Sequence, residues 1–236
     1  MIDTVLFDLD GTLLPMDLDE FVKSYMGLMA AFMAPHGYEP KRLVKTIWEG
    51  TAAMVQNNGE KKNEEVFWDL FREEYGPRAD GDLPLFEEFY ATEFAKARTS
   101  CGFNAAAAEV IALLKEKGVR CVLATNPLFP QVATFQRIRW AGLDPADFEL
   151  VTTYENSSFC KPNPDYYREI LKAIDARPER CLMVGNDVRE DMIAEKLGMQ
   201  TFLLTDCLLH AEGEDISIWP GGGFEELKAF LEEKIG

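Results

Sequence analysis

The sequence predicts an α/β protein: a doubly wound, Rossmann-like parallel sheet with an inserted all-helical segment. Three observations support this fold class. Short apolar runs alternate with helical patterns over most of the chain, as in parallel sheets covered on both faces. One long stretch contains only helical patterns. The chain has 236 residues, of which 47% are hydrophobic and 11% aromatic, so it has enough apolar side chains for a packed core and is not intrinsically disordered.

Five short runs of apolar or β-branched residues are the predicted strands. Their continuous hydrophobicity is typical of strands buried on both faces. The runs cover residues 4–9, 119–125, 148–153, 180–184 and 200–205.

Helices are predicted between these strands. Asn104 is a suitable N-cap for a helix over 105–117, which Gly118 would end. Pro164 would start a helix that runs to 174, because proline suits the first turn. A further helix over 187–197 would stop at Gly198, and a last one over 224–234 would follow a Pro-Gly-rich loop.

The stretch from about residue 18 to about residue 89 interrupts the alternation. Apolar residues recur there at helical spacing in three groups, around 21–33, 43–48 and 66–71. We therefore expect a core domain made of residues 1–15 and 90–236, with residues 16–89 as an inserted helical cap domain.

Charge and cysteine content exclude several classes of protein. Lys plus Arg total 24 and Asp plus Glu total 41, a net charge of −17, which argues against a nucleic-acid binder and against a basic membrane-binding surface. The five cysteines form no CxxC pair, so zinc-knuckle and thioredoxin sites are excluded and a reducing compartment is favoured. With no signal peptide or membrane-spanning stretch, we expect a cytoplasmic protein. Nothing in the sequence indicates an oligomeric state.

Two acids follow the first predicted strand. Asp8 and Asp10 stand in the run Asp-Leu-Asp-Gly-Thr, and ligand sites in such sheets form at the carboxyl ends of strands. Paired carboxylates can hold Mg²⁺, or serve as a nucleophile and an acid/base catalyst. Gly11 permits a sharp turn. Taken alone, the run would favour a solvated Asp-Gly turn over a functional site.

Three further polar groups follow later strands. Thr125 and Asn126 could donate to phosphate oxygens, or merely cap a helix. Lys161 precedes a proline, which holds it in an extended conformation, but it could be an ordinary loop lysine. Asn186, Asp187 and Asp191 offer one carboxamide and two carboxylates, or an acidic helix start.

The order of these groups resembles the haloacid dehalogenase (HAD) superfamily of phosphohydrolases. Residues 8–13 are similar to its first motif, and Thr125, Lys161 and residues 185–191 are similar to its second, third and fourth. The helical insertion resembles the C1-type cap of this superfamily. The resemblance covers essentially the whole chain.

The resemblance implies a Mg²⁺-dependent phosphohydrolase that removes phosphate from a small phosphorylated metabolite. Asp8 would form an aspartyl-phosphate, and Asp10 would protonate the leaving oxygen and then activate water. Substrate phosphate would be bound by Thr12, Thr125, Asn126 and Lys161. Mg²⁺ would be held at the site formed by Asp8, Asp10, Asn186, Asp187 and Asp191.

One departure concerns the metal ligand. Many relatives have Gly-Asp where this chain has Gly185-Asn186. Register favours Asn186 as the direct ligand, because a carboxamide oxygen can bind Mg²⁺, but Asp187 is one residue further on. The sequence leaves both possibilities open.

Other functions also fit part of the pattern. A sugar-phosphate mutase of the same superfamily would use the same motifs. A phospho-Asp signalling receiver shares the phosphorylatable Asp, Thr and Lys, but has no large helical insertion after its first strand. A catalytically silent binding protein would result if Asn186 disabled the metal site. Asp10 argues against carbon–halogen cleavage, because dehalogenases of the superfamily lack an acid at this position.

Overall fold

A computed structural model describes residues 1–235 and contains one six-stranded sheet. Its strand order is β3-β2-β1-β4-β5-β6, and every neighbouring pair is parallel. This arrangement confirms the doubly wound α/β class. The strands are β1 Thr4–Phe7, β2 Arg120–Leu123, β3 Leu150–Val151, β4 Cys181–Gly185, β5 Gln200–Leu204 and β6 Gly221–Gly222.

The central strand β1 is buried on both faces. Val5 and Phe7 point into the core layer that also contains the side chains of the helical segment, whereas Leu6 packs in a second layer with Tyr166 and Met183. Side chains alternate between faces along a strand, so β1 needs apolar residues at every position. This explains why the sequence shows a continuous run and no alternation.

Nine α-helices lie within the described residues. They are α1 Leu18–Met33, α2 Pro40–Val55, α3 Asn63–Tyr75, α4 Arg78–Gly81, α5 Leu83–Ala91, α6 Ala105–Glu116, α7 Gln131–Trp140, α8 Pro164–Ala173 and α9 Phe224–Ile235. None of them combines the length and the apolar composition that spanning a bilayer requires.

Helices α1 to α5 form a helical segment, residues 18–91, between β1 and β2. Its interior is aromatic: Phe71 packs edge-on against Trp68 and Phe86, with ring centroids 5.2 and 5.3 Å away. The sequence indicated three helices here and missed α4 and α5. Helix α5 also continues to Ala91, two residues beyond the expected boundary at 89.

The two chain segments that enter and leave the helical segment run side by side. Met16 and Cys101 form an isolated antiparallel bridge, and the Gly102 amide donates to the Pro15 carbonyl at 2.6 Å. The helical segment is therefore joined to the sheet through one paired crossing, close to the carboxyl end of β1.

The predicted helix over 187–197 is wrong in its first half. Asp187 forms an isolated bridge with Leu209, residues 188–191 form turns, and only Met192–Leu197 is helical, as a 3-10 helix. The side chain of Asp191 accepts from the Asp187 amide, and its other oxygen is held by Lys161. These bonds close a tight polar turn where an α-helix would have projected the carboxylates outward.

Two further elements were not foreseen. Helix α7 was not predicted, although it follows β2 in the usual crossover position. Strand β6 lies in the predicted loop 219–223 and consists of two glycines, whose backbones pair with Leu203 and Leu204. Glycine carries no strand signal, so this pairing depends on tertiary contact.

Candidate active site

The predicted site residues come together at one edge of the sheet. Asp8 follows β1, Thr125 follows β2 and Asn186 follows β4, and the carboxyl ends of neighbouring parallel strands lie at the same edge. One cavity at this edge is lined by most of the predicted site residues. These are Asp8, Asp10, Thr125, Asn126, Asn186, Asp187 and Asp191.

Lys161 lies beneath this cavity and its side chain is fully buried. Its ammonium donates to Asp8 Oδ1 at 2.9 Å and to Asp191 Oδ1 at 2.6 Å. Burial disfavours the charged ammonium, but the carboxylates of Asp191 and Asp8 raise the pKa of Lys161 well above its ordinary value. Lys161 therefore remains a cation that fixes two carboxylates of the site.

Asp191 is the most deeply buried carboxylate of the cluster. Burial raises its pKa, which the Lys161 cation opposes and the Asp8 charge reinforces. A side chain on Gly185 would overlap the Asp191 carboxylate, so glycine is required at the end of β4 for this close approach.

Thr12 does not line the cavity. Its buried hydroxyl lies 3.2 Å from Asp8 Oδ2 and 3.0 Å from Asn186 Oδ1. A hydroxyl has one proton, so at any moment it donates to only one of these two oxygens. The structure thus gives Thr12 a position between Asp8 and Asn186, whereas the sequence suggested contact with the substrate phosphate.

Asp10 is held from below by Arg137, a residue that sequence reasoning missed. Arg137 lies on α7 with no exposed side-chain surface, and its guanidinium donates to Asp10 Oδ2. The same guanidinium lies 4.3 Å from the Phe129 ring centroid. The only sequence signal was a charged residue at helical spacing from Ala133, on the buried face of α7.

The environment of Asp10 favours a proton on its carboxyl group. Burial raises the pKa of Asp10 above its ordinary value of 3.8; Arg137 opposes this shift and Asp8 adds to it. Asp10 Oδ1 is buried and has no hydrogen-bond partner. A carboxyl group at the cavity wall with a raised pKa and one unpaired oxygen can donate a proton to a reacting oxygen and later accept one.

Thr125 and Asn126 form another part of the cavity wall. The Thr125 carbonyl accepts from Thr152 at 2.7 Å and from Tyr166 at 2.8 Å, which fixes the backbone after β2. The Asn126 amide donates to Glu190 Oε2 at 3.0 Å, and burial raises the pKa of Glu190. Glu190 therefore belongs to the acidic cluster as well.

Asn186 and Asp187 have different surroundings. Both carboxylate oxygens of Asp187 are engaged: Oδ1 accepts from the Arg189 and Glu190 amides, and Oδ2 lies 2.7 Å from His210 Nδ1. Asn186 instead donates from Nδ2 to the Cys207 carbonyl at 2.5 Å, which turns its Oδ1 toward the Thr12 hydroxyl.

The oxygen atoms of the site suit a hard cation. No three His, Cys, Asp or Glu side chains within residues 1–235 form a ready-made metal cluster. The site does bring together Asp8 Oδ2 and Asn186 Oδ1, which share a single hydroxyl proton, and it leaves Asp10 Oδ1 unpaired. Such an excess of oxygen acceptors over donors fits Mg²⁺, which binds oxygen and usually keeps several waters.

The cavity extends from these acids into the helical segment and has a volume of about 260 Å³. Its far wall is formed by side chains of α1, α2, α3 and α5. The wall is mainly aromatic and aliphatic, with Phe21, Tyr25, Met29, Trp48, Trp68 and Tyr90 among its residues.

Comparison with known proteins decides the family. Residues 2–196 match the family model described as haloacid dehalogenase-like hydrolase. The chain belongs to this family and is a hydrolase. Pyrophosphatase PpaX of Bacillus cereus is 24% identical to it over 200 residues, which cover 85% of this chain and 82% of that protein.

Solved structures agree on the fold. A 2-haloacid dehalogenase from Pseudomonas syringae pv. Tomato aligns with a TM-score of 0.64 at 20% identity, covering 99% of both chains. The HAD hydrolase YfnB of Bacillus subtilis, solved bound to magnesium, aligns with a TM-score of 0.55 at 21% identity, covering 99% of this chain and 98% of that one.

Proposed function

We propose that this hydrolase is a Mg²⁺-dependent phosphomonoesterase that acts on a small phosphorylated metabolite. The observation that carries the proposal is the placement of Asp8 in the cavity lining: its Oδ1 is fixed by the buried Lys161 ammonium, and its Oδ2 lies 3.2 Å from the Thr12 hydroxyl. A carboxylate so oriented at a cavity floor can attack phosphorus. The PpaX relative, a pyrophosphatase by name, also points to phosphate chemistry.

The reaction would proceed in two displacements. An Asp8 oxygen forms a bond to phosphorus while the bond from phosphorus to the substrate oxygen breaks, and Asp10 gives its proton to that oxygen. Water then attacks the aspartyl-phosphate, Asp10 takes up the proton, and the bond between phosphorus and Asp8 breaks. Asp10 serves both steps because it is protonated before the first and ionised before the second.

Mg²⁺ would be held by Asp8 and Asn186, with Asp10 and Asp191 close by. When bound, it would offset the repulsion between these carboxylates and the phosphate dianion. The magnesium bound in the YfnB structure supports the choice of Mg²⁺ as the ion. Thr125 and Asn126 face the cavity and would orient the phosphate, while Lys161 would hold Asp8 and balance its charge.

The helical segment would act as a cap. Residues 16–89 were expected to form this unit, and the cavity that joins α1, α2 and α3 to the acids supports the assignment. A cap over the site would exclude bulk water while the aspartyl-phosphate forms.

The test measures inorganic phosphate release from an aryl phosphate with Mg²⁺. Asp8→Asn is expected to abolish release, and Asp10→Asn to lower it severely. Asp206→Asn is the matched control, because Asp206 also follows a strand, β5, but is exposed and lies outside the cavity. Chelation of divalent cations should remove activity, and Mg²⁺ should restore it.

Three outcomes would contradict the proposal. Full turnover by Asp8→Asn would show that Asp8 is not the nucleophile. Isomerisation of a sugar phosphate without phosphate release would indicate a mutase. A phosphorylated Asp8 that persists without turnover would indicate a phospho-Asp receiver, or a silent binding protein.

A further inference from the structure

The wall of the cavity, as residues 1–235 form it, offers no lysine or arginine to a second anion, and its histidine, His210, is already paired with Asp187 at 2.7 Å. The two cations nearest the site are buried and already paired: Lys161 with Asp8 and Asp191, and Arg137 with Asp10. A substrate with a second anionic group would therefore bring an unpaired charge into an apolar enclosure, which is unfavourable.

The polar groups of the wall are also satisfied by one another. The hydroxyls of Tyr25 and Tyr90 lie 2.9 Å apart, and Trp68 Nε1 donates to the Tyr154 hydroxyl at 3.4 Å. The Thr51 hydroxyl donates to the carbonyl of Ile47 in its own helix. A sugar with several hydroxyls would meet few free partners here and would lose its bonds to water.

What remains of the wall is apolar and aromatic. Phe21 and Met29 are almost fully buried, and Trp48 is 50% exposed at the rim. An engineered apolar cavity of about 150 Å³ in another protein holds benzene. The present cavity, at about 260 Å³, therefore has room for an aromatic ring with a short linker.

We propose that the substrate is a monophosphate ester whose alcohol part is apolar and uncharged, carrying an aromatic ring or a compact hydrocarbon group. This inference rests on the proposed phosphatase function and specifies its substrate class. It separates the chain from enzymes that act on pyrophosphate, on carboxylate-bearing phosphates or on sugar phosphates, because within the described residues this wall has no Lys or Arg for a second anion and few free hydrogen-bonding groups for a sugar.

The experiment compares 2-phenylethyl phosphate, glucose 6-phosphate and 2-phosphoglycolate. All three release a primary alcohol, so differences in kcat/KM report mainly on the cavity and less on the leaving group. The phenylethyl ester should have the highest kcat/KM, by at least about tenfold, because only its alcohol part gains by leaving water. Inorganic pyrophosphate, as a fourth substrate, should be hydrolysed poorly.

A second experiment introduces a positive charge at the edge of the cavity. Trp48→Lys should lower kcat/KM for the phenylethyl ester and raise it for 2-phosphoglycolate, so that the ratio between them falls at least about tenfold. Val55→Lys is the matched control, since Val55 lies on the same helix and is 41% exposed but does not line the cavity. This control should leave the ratio unchanged.

The outcomes separate the two proposals. Equal rates for the three esters, or a preference for the sugar or the carboxylate, would overturn the substrate class while leaving the phosphatase function intact. If none of the three esters released phosphate, or if release survived Asp8→Asn, the proposed phosphatase function would instead be wrong.

Discussion

Arg137 and Asp10 are 127 residues apart in the chain and form an ion pair beneath the cavity. The Arg137 side chain is fully buried, whereas 19% of the Asp10 side chain is exposed. Arg137 takes one carboxylate oxygen and leaves the other unpaired. The arginine therefore fixes the direction in which Asp10 presents its free oxygen.

Replacing this arginine should affect both stability and leaving-group chemistry. Arg137→Met removes one partner of a buried pair, which we expect to lower the free energy of unfolding by about 3 kcal/mol. Phosphate release should fall about 100-fold for an alkyl ester, which needs a proton from Asp10, and less for an aryl ester with a good leaving group.

The control for this variant is Arg139→Met, on the same helix but exposed. It should leave both measurements unchanged. Equal losses on alkyl and aryl esters would mean that Arg137 supports only the fold and does not position Asp10.

The different surroundings of Asn186 and Asp187 lead to a metal-binding prediction. Asn186→Ala removes an oxygen that contacts the same Thr12 hydroxyl as Asp8, so the Mg²⁺ concentration for half-maximal activity should rise at least about tenfold. Asp187→Asn keeps an oxygen that can accept the Arg189 and Glu190 amides, and should change that concentration less than about threefold. The measurement is a Mg²⁺ titration of phosphate release by each variant. If Asp187→Asn raised the Mg²⁺ concentration for half-maximal activity more than Asn186→Ala, Asp187 would be the direct ligand.

Much of the fold and part of the site could be predicted from sequence, for a local reason. Asp8, Thr125 and Asn186 each follow directly after a strand, and a buried parallel strand is visible as a continuous apolar run. The rule that sites form at carboxyl ends of strands then brings them together without further information.

The parts that were missed depend on contacts between distant segments. In the sequence nothing distinguishes Arg137 from other arginines, because its partner Asp10 is 127 residues away. The polar turn after β4 replaces a helix because Asp191 is held by Lys161, 30 residues earlier. Strand β6 consists of two glycines that only their pairing with β5 identifies. None of these contacts has a pattern within one segment of the chain.

The tyrosines give a pH-dependent prediction. Burial is the main cause that raises the pKa of all seven tyrosines above 10.0, for Tyr25 to about 12. A group whose pKa is higher in the folded state contributes stability that is complete below its unfolded pKa and is lost as pH rises through its folded pKa. The free energy of unfolding should therefore fall as pH rises from about 10 to about 12.

Ultraviolet absorbance of the phenolate measures this titration directly. The native protein should form far fewer phenolates at about pH 10.5 than the same chain in guanidinium chloride, where all seven titrate near their ordinary pKa. Coincident native and denatured curves would show that the tyrosines are not buried as described, including the pair formed by Tyr25 and Tyr90 in the cavity wall.

Lys161 should be essential for activity in a way that can be separated from its role in stability. Lys161→Met leaves the Asp8 and Asp191 carboxylates without the cation they share, which should lower the free energy of unfolding by about 3 kcal/mol and abolish turnover. Adding Asp191→Asn to this variant removes one of the two charges and should recover much of the lost stability. It should not recover turnover, because Asp8 is still without its ammonium partner.

Lys172→Met on α8, where the lysine is exposed, is the control that should change neither quantity. Denaturant unfolding and phosphate release on the same four proteins test this, and recovery of turnover in the double variant would show that Lys161 only offsets the charge of Asp191.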